Sequence, residues 1–381
     1  AALRCYLRES RQRPAKQVLM ELVNGLRIVG FDVNPFACLM AQVNYAAQIL
    51  PHYARAIADD PHFSLPILPV FRTDSLRKEI REEENQVKDN QLTMLLERDV
   101  ALILTKLPII APGKRFLDVQ VPVPRYDRAK EKGLVSNVEE YFQALAALFS
   151  VVREEKLSGA ALEKALGRMG MARARDMGNY MLEAGRGVAA EVHKLRNEYG
   201  DGRFFKTIED LALSLTLKNQ LKYDFVVGNP PYIRIQRIPE DFRRYWEKRY
   251  DWARGNFDIF IPFLERGITE WLREGGKLGF ICSDRFLLAN YGERLREELP
   301  MNAGLELIAD LRDTRVFKDA LNYPAILVVS RSKERSASFT AARVFRDPAD
   351  AAALMAELRD NVAAVKYGKP FVRGKCADAF S

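Results

Sequence analysis

The chain has 381 residues, is 48% hydrophobic and carries a formal net charge of +8. Its length and apolar content suffice for one large or two to three ordinary domains, and its positive charge suits a nucleic-acid partner. No apolar run approaches a membrane span and the N-terminal stretch lacks a secretory signal, so we expect a soluble, cytoplasmic protein with no membrane partner. The four cysteines form no CxxC pair and share no ligand spacing with the three histidines, so we expect neither a metal site nor disulfides.

In chain order, apolar β-rich runs alternate with segments of helical spacing. The predicted strands are 26–33, 67–72, 223–228, 277–282, 305–311 and 325–330, and the predicted helices include 35–50, 257–274 and 291–299. This alternation predicts an α/β fold with a mostly parallel sheet. Only a loop separates the last two strands, so we predict that they form a terminal antiparallel hairpin.

Residues 75–222 interrupt the alternation of strands and helices. They form a long, charged stretch that contains the Pro-rich patch "KLPIIAPGKRFLDVQVPVPRYD". We interpret this stretch as a largely helical insertion.

Acidic residues follow the first two predicted strands. Asp32 ends the first strand, Asn34 can cap the next helix and Pro35 fits its first turn. A carboxylate at such a strand end is the usual partner of ribose hydroxyls in Rossmann-like nucleotide sites, although Asp32 can equally serve only to cap the helix. Asp74 follows the second strand, where it is either an acceptor for an adenine amino group or an ordinary turn residue.

The third predicted strand, "YDFVV", ends in an apolar run with β-branched side chains and no alternation, which predicts burial on both faces. The strand is followed directly by Gly-Asn-Pro-Pro-Tyr. Proline cannot continue a strand, so Asn229 is held stiffly at its end. If the Asn229 side-chain oxygen and the Pro230 carbonyl each accept one proton of an aromatic amine, the nitrogen lone pair is directed outward. Tyr232 then offers a flat face for an extruded base. The alternative is a Pro-terminated strand with a surface tyrosine.

The stretch 234–256, "RIQRIPEDFRRYWEKRYDWARGN", interleaves arginines and lysine with aromatic residues. Beside a base pocket this mixture suits phosphate contacts and stacking. An amphipathic helix with its aromatic residues in the core is an equally good interpretation.

These motifs together resemble those of a known enzyme family. "GNPPY" after "YDFVV" resembles the catalytic motif of amino-group methyltransferases that use S-adenosylmethionine, and "GFDVNPFA" resembles their acidic loop. "NFDIFIPFLERG", "GGKLGFICSDRFL" and "FKDALNYPAILVVSR" resemble the elements that follow in the same order. The order, the spacing and the long insertion are similar to bacterial DNA N6-adenine methyltransferases of restriction-modification and phage-defence systems.

The resemblance implies a Rossmann-like methyltransferase sheet and a role for each matching residue. It places Asp32, Asp74 and Asp258 at the cofactor, and Asn229, Pro230, Pro231 and Tyr232 at a flipped adenine of double-stranded DNA. It further implies that Phe317 packs on the other face of that base, while the basic stretch 234–256 predicts that Arg234 and Arg237 contact the substrate. It implies S-adenosylmethionine as cofactor and no metal. A nuclease or specificity region in the same chain or operon is the expected partner.

The resemblance also predicts the domain organisation. Residues 1–74 are the first part of the methyltransferase domain, 75–222 the insertion, 223–335 the catalytic part, and 336–381 the start of a target-recognition region. Nothing before Asp32 supplies the glycine-rich cofactor loop of the family, so we expect the first strand and that loop to be missing from this fragment. Methylation of an RNA base or a protein glutamine, and a non-catalytic DNA-binding remnant, stay open as alternatives.

Overall fold

The computed structural model describes residues 2–65, 67–76, 100–111, 114–124, 137–171, 173–200, 203–233, 235–287, 289–311, 324–332, 338–344, 351–360 and 362–366. The chain divides into two compact units, residues 1–221 and 222–381. The finer domain boundaries predicted from the sequence, at 74/75 and 335/336, stay predictions.

The first unit combines a short parallel strand pair with helices. Its helices are α1 (Ala2–Glu9), α2 (Ala15–Val23), α3 (Pro35–Asp59), α4 (Val138–Arg153), α5 (Gly159–Arg168), α6 (Ala174–Tyr199) and α7 (Arg203–Gln220). Its strands are β1 (Gly30–Asp32), β2 (Val70–Arg72), β3 (Val100–Ala111) and β4 (Lys114–Pro124). β1 pairs with β2 in parallel, so that Asp32 lies beside Arg72. Fully buried Val18, Leu19 and Leu22 of α2 anchor the core under α1 and α3.

The insertion is largely helical, as predicted, but it also contains a long hairpin that the sequence analysis missed. β3 and β4 are antiparallel, with Val100 opposite Pro124 and Ala111 opposite Lys114. Proline is unusual within strands because it cannot donate a backbone hydrogen bond to a neighbouring strand. Each strand of a two-stranded sheet is an edge strand, however, and proline is tolerated at edges and at irregularities such as the register shift after Pro108.

The second unit is built on one six-stranded sheet. Its elements are β5 (Tyr223–Gly228), α8 (Glu240–Arg249), α9 (Phe260–Arg266), β6 (Leu272–Ser283), α10 (Glu293–Asn302), β7 (Gly304–Asp310), β8 (Pro324–Ser330), β9 (Ser338–Arg343), α11 (Ala351–Asp360) and β10 (Val362–Lys366). The strand order is β10-β9-β7-β8-β6-β5. β5 and β6 are parallel, as are β7 and β9, while the remaining neighbours are antiparallel.

The Rossmann-like α/β class is confirmed, and so is the predicted antiparallel pairing of the strands now labelled β7 and β8. The sheet of the second unit is mixed. The prediction that β5 is buried on both faces is wrong, since Phe225 and Val227 are 71% and 85% exposed. β5 is the last strand of its sheet, and no described element covers these two side chains.

The predicted helix 257–274 ends earlier than expected. α9 passes into a single π-helical turn, Gly267–Trp271, and β6 begins at Leu272. Gly275 in β6 has φ +75°, a left-handed conformation that glycine adopts easily. The pairing of β6 with β5 shifts register between Tyr223 and Phe225. Among the described residues, no helix has the length and apolarity needed to cross a bilayer.

His52 is a buried polar residue of α3. Its side chain is 7% exposed, and neither ring nitrogen has a hydrogen-bond partner among the described residues. Burial, with a smaller contribution from the positive charge of Arg55, lowers the pKa of His52. The imidazole is therefore neutral in the fold at pH values where the unfolded chain already binds a proton.

We expect His52 to make the fold less stable in acid. Below about pH 6.5, the ordinary pKa of histidine, the unfolded state binds a proton that the folded state does not, so stability falls as the pH falls toward the lowered folded pKa. Thermal melts of the wild type and His52→Leu between about pH 7.5 and 5.5 test this, with His62→Leu, at an exposed histidine, as the control. The His52 variant loses part of the acid sensitivity and the His62 variant keeps it; equal slopes for all three proteins contradict the expectation.

Candidate active site

The first group of predicted site residues lies where β1 and β2 end. Asp32 is exposed, and its Oδ1 accepts a hydrogen bond from the Asn34 amide at 2.7 Å. Asn34 in turn caps α3, since its Oδ1 accepts from the Phe36 amide at 2.9 Å, and Pro35 occupies the first turn as predicted. The second carboxylate oxygen of Asp32 has no hydrogen-bond partner in the described part of the chain. Asp32 thus supports the start of the helix, and its second carboxylate oxygen is an acceptor at the strand end; the contact with ribose hydroxyls stays a prediction.

Asp74 is braced by a residue that the sequence analysis missed. Lys218 of α7 is 1% exposed, and its Nζ donates to Thr73 Oγ1 and to the Asp74 backbone carbonyl, both at 2.8 Å. The Asp74 carboxylate itself accepts from the Leu76 amide at 2.9 Å. A buried ammonium is unfavourable unless it is well paired. The last helix of the insertion therefore holds the end of β2 in place.

Asp210, also on α7, supports the same strand end. The Arg72 backbone amide donates to its carboxylate, and Lys206 Nζ lies 2.6 Å from Oδ1. Burial raises the pKa of Asp210, although Lys206 partly offsets this. Neither Asp210 nor Lys218 belongs to a recognisable motif, because the residues at the end of β2 that they contact lie more than 100 residues away in sequence.

The second group follows β5, in the other unit. Asn229 is exposed, Pro230 is buried, Pro231 is exposed and Tyr232 is partly buried. At the preceding Gly228, a Cβ atom would lie 3.0 Å from the Phe280 ring, so a side chain there would press on β6. The backbone after Tyr232 is fixed by a hydrogen bond from the Ile259 amide to the Ile233 carbonyl at 3.1 Å. The loop is thus held at both ends while Asn229 stays accessible.

Polar groups from three segments meet behind this loop. Cys282 near the end of β6 is fully buried, and burial, together with the negative charges of Asp284 and Asp258, raises its pKa. Burial also raises the pKa of Tyr232, with a smaller effect from Cys282, so the phenol keeps its proton at neutral pH. Asp258 is 9% exposed. The structure therefore groups Asp258 with Tyr232 in the second unit, whereas Asp32 and Asp74 lie in the first.

Glu265 of α9 supports the segment between the loop after β5 and α9. Its carboxylate accepts from the backbone amides of Asp251 and Trp252 at 2.8 and 2.7 Å. Burial raises the pKa of Glu265, and these two hydrogen bonds partly counteract the increase. Sequence reasoning missed Glu265, Cys282 and Asp284 as supporting residues; the signal that was available for the last two was the "ICSD" run after the apolar core of β6.

The basic and aromatic stretch 234–256 follows the core interpretation for its central aromatic residues. Trp246, Tyr250 and Trp252 are 4%, 2% and 5% exposed, so these three side chains cannot stack on a base. Arg243 and Arg244 pair with Glu247 and Glu240 on the same helix. The predicted substrate residue Arg237 is exposed, while Arg234 and Phe317 lie outside the described residues.

Comparison with known proteins identifies the family. The Eco57I restriction-modification methylase family model matches residues 27–317, which is most of the chain, and the chain belongs to that family. The resemblance to restriction-modification methylases recognised in the sequence is thereby confirmed.

Individual relatives match a shorter region. The Type II methyltransferase M.PaeR7I of Pseudomonas aeruginosa is 43% identical over 111 residues, and M.BstVI of Geobacillus stearothermophilus is 41% identical over 110 residues. Each alignment covers 29% of this chain and 19% of the relative, so the match spans about a fifth of those proteins. The Type ISP restriction-modification enzyme LlaGI, solved with a DNA substrate mimic, aligns with 65% of this chain and 26% of its own at 12% identity and a TM-score of 0.34, too low to support a conclusion.

We expect Asn34→Ala to destabilise the start of α3. The substitution removes the acceptor for the Phe36 amide, and loss of such a cap lowers the free energy of unfolding by about 0.5–2 kcal/mol. Asn44→Ala, at an exposed position within the same helix, is the matched control, because alanine is the better helix former there. Urea unfolding compares the two; an equal effect in both variants contradicts the capping role.

Proposed function

We propose that this protein transfers a methyl group from S-adenosylmethionine to the exocyclic amino group of adenine in double-stranded DNA, within a restriction-modification or phage-defence system. The observation that carries the proposal is the position of Asn229, exposed at the end of β5 and followed by a buried proline. Membership of a restriction-modification methylase family supports the reaction class. The net charge of +8 supports DNA as the partner.

The catalytic part of the proposal rests on a rigid pair of acceptors. An aromatic amine is a weak nucleophile because its lone pair is delocalised into the ring. The Asn229 side-chain oxygen and the Pro230 carbonyl accept its two protons, which draws the nitrogen toward tetrahedral geometry. Neither acceptor is charged, so the amine is oriented without being deprotonated in advance, and positioning of this kind is a large part of a catalytic advantage.

The end of β1 has the right chemistry for the cofactor. Ribose hydroxyls and the adenine amino group are hydrogen-bond donors, and Asp32 presents a carboxylate oxygen that has no partner among the described residues. The adjacent Val33 and Phe36 are 66% and 67% exposed, which is a suitable apolar surface for an adenine ring. Asp74, braced by Lys218, supplies a second acceptor. When bound, S-adenosylmethionine supplies an electrophilic methyl group.

We assign Tyr232 to the face of the target base. Tyr232 is partly buried, and burial raises the pKa of its hydroxyl further above the neutral range, so no phenolate competes with the amine for the methyl group. We assign its ring to stacking on the flipped adenine, which contributes about 1–3 kcal/mol per base. Asp258 is assigned to shaping the site behind this ring. Phe317 is assigned to the target base on the resemblance, and Arg234 and Arg237 are assigned to the substrate because they belong to the basic stretch that follows Tyr232.

We expect Asn229→Ala to abolish methyl transfer in the full-length protein while cofactor binding stays within about twofold, because in this scheme Asn229 touches only the target amine. Transfer of tritium from labelled cofactor to duplex DNA measures the first quantity, and calorimetric titration measures the second. Asn44→Ala, at an exposed asparagine of the other unit, is the control that keeps activity. Wild-type transfer by the Asn229 variant contradicts the mechanism.

We expect Tyr232→Phe to keep most activity and Tyr232→Ala to lose it, since the face of the ring does the stacking. The loss for alanine corresponds to about 1–3 kcal/mol of transition-state stabilisation. Both variants are compared on duplexes whose target adenine is either paired or opposite an abasic site. Equal losses in the two variants assign the role to the hydroxyl and rule out stacking.

A further inference from the structure

A basic groove lies between α1 and α3, apart from the strand ends described above. Its volume is about 1060 Å³, and it is lined by Arg4, Cys5, Leu7, Arg8, Arg11, Gln48, Pro51, His52 and Arg55. Small-molecule pockets range over about 300–1,000 Å³, so this groove is large enough for an extended ligand. We call this set of residues the arginine groove.

The four arginines come from both walls of the groove. Arg4 and Arg8 are one helical turn apart on α1, Arg11 lies in the turn that follows the end of α1 at Glu9, and Arg55 belongs to α3. Their exposed guanidinium groups form no ion pair with any carboxylate in the described residues. The nearest acid of α1, Glu9, accepts instead from the Cys5 thiol at 3.4 Å.

This arrangement is unfavourable for the free protein. Like charges one helical turn apart, such as Arg4 and Arg8, destabilise a helix by about 0.2–0.5 kcal/mol. Arg11 and Arg55 add two more positive charges to the lining of the same groove. Buried His52 also lines the groove, with no hydrogen-bond partner among the described residues. Burial lowers the pKa of His52, and the positive charge of Arg55 adds to this effect.

The ligand class follows from charge and length. Guanidinium groups bind phosphate oxygens in a planar, bidentate geometry. Successive arginines at Arg4, Arg8 and Arg11 suit a row of phosphates better than a single one, and Arg55 fixes the opposite wall. From this geometry we propose that the arginine groove binds the phosphodiester backbone of duplex DNA, as a contact site in addition to the one at the target base.

This inference rests on the proposed function for the identity of the nucleic acid, but DNA binding is measured without methyl transfer. In the full-length protein, binding of a 20-bp duplex without a recognition sequence is followed by fluorescence anisotropy over a range of KCl concentrations. The groove variant is Arg4→Gln with Arg8→Gln and Arg11→Gln. Its matched control removes the same charge from exposed cations of α5 and α6, as Lys164→Gln with Arg168→Gln and Arg175→Gln.

We expect the groove variant to bind the duplex about 10- to 100-fold more weakly at 0.1 M salt, with a slope of log K against log[salt] that is smaller by about 2–3, because each lost phosphate contact removes about 0.9 from the slope. The control keeps the wild-type affinity and slope. A charge-preserving variant, Arg4→Lys with Arg8→Lys and Arg11→Lys, keeps most of the slope, which separates lost charge from a folding defect.

Three results would overturn the proposal. The first is an equal loss of affinity in the groove and control variants. The second is a lysine variant that behaves like the glutamine variant. The third is a groove variant that loses binding of inorganic phosphate or ATP while its duplex binding is unchanged, which would indicate a small-anion site. Failure of the proposed function is a different result: a wild type that binds duplex through the groove but transfers no methyl group.

Discussion

The two prolines after β5 are the constraint on which the loop that carries Asn229 depends. Pro230 cannot donate to a strand partner and Pro231 restricts the residue before it, so β5 ends at Gly228 whatever surrounds it. Asn229 is left exposed on a stiff backbone, and buried Pro230 anchors the turn. A hydrogen bond from Ile259 to Ile233 and the contacts of Glu265 with Asp251 and Trp252 then hold the segment beyond it. Local chemistry terminates the strand, and tertiary contacts keep the loop in place.

The insertion has a structural consequence for the strand ends of the first unit. Its last helix, α7, contributes Asp210 to the Arg72 amide and Lys218 to Thr73 and Asp74. Both charged residues are buried, where an ion without partners is unfavourable. The segment that matched no motif is therefore bonded directly to the residue assigned to the adenine of the cofactor. The insertion thus contributes hydrogen bonds that hold the end of β2, where Asp74 lies.

The positively charged residues differ in whether they pair with carboxylates. On α8 the arginines pair with carboxylates of the same helix, and the aromatic residues between them are buried, so most of that stretch is structural. In the arginine groove, four arginines line one groove without forming ion pairs to carboxylates in the described residues. A net charge taken from composition cannot distinguish these two cases, because it does not record which carboxylates lie nearby.

The sequence by itself determined the features that depend on neighbouring residues. The end of β5, the Asn34 cap with Pro35 in the first turn, and the antiparallel pair β7 and β8 follow from backbone restrictions and connection length, which act over a few residues. Only the tertiary structure decided that β5 is an exposed edge, that the Pro-rich patch forms β3 and β4, and that Lys218 lies under Asp74. The exposure of β5 and the contact of Lys218 with Asp74 depend on which distant segments meet, and such contacts leave no periodic signal in the chain. β3 and β4 are close in sequence, but their prolines are unusual in strands and are tolerated here because both strands are edges.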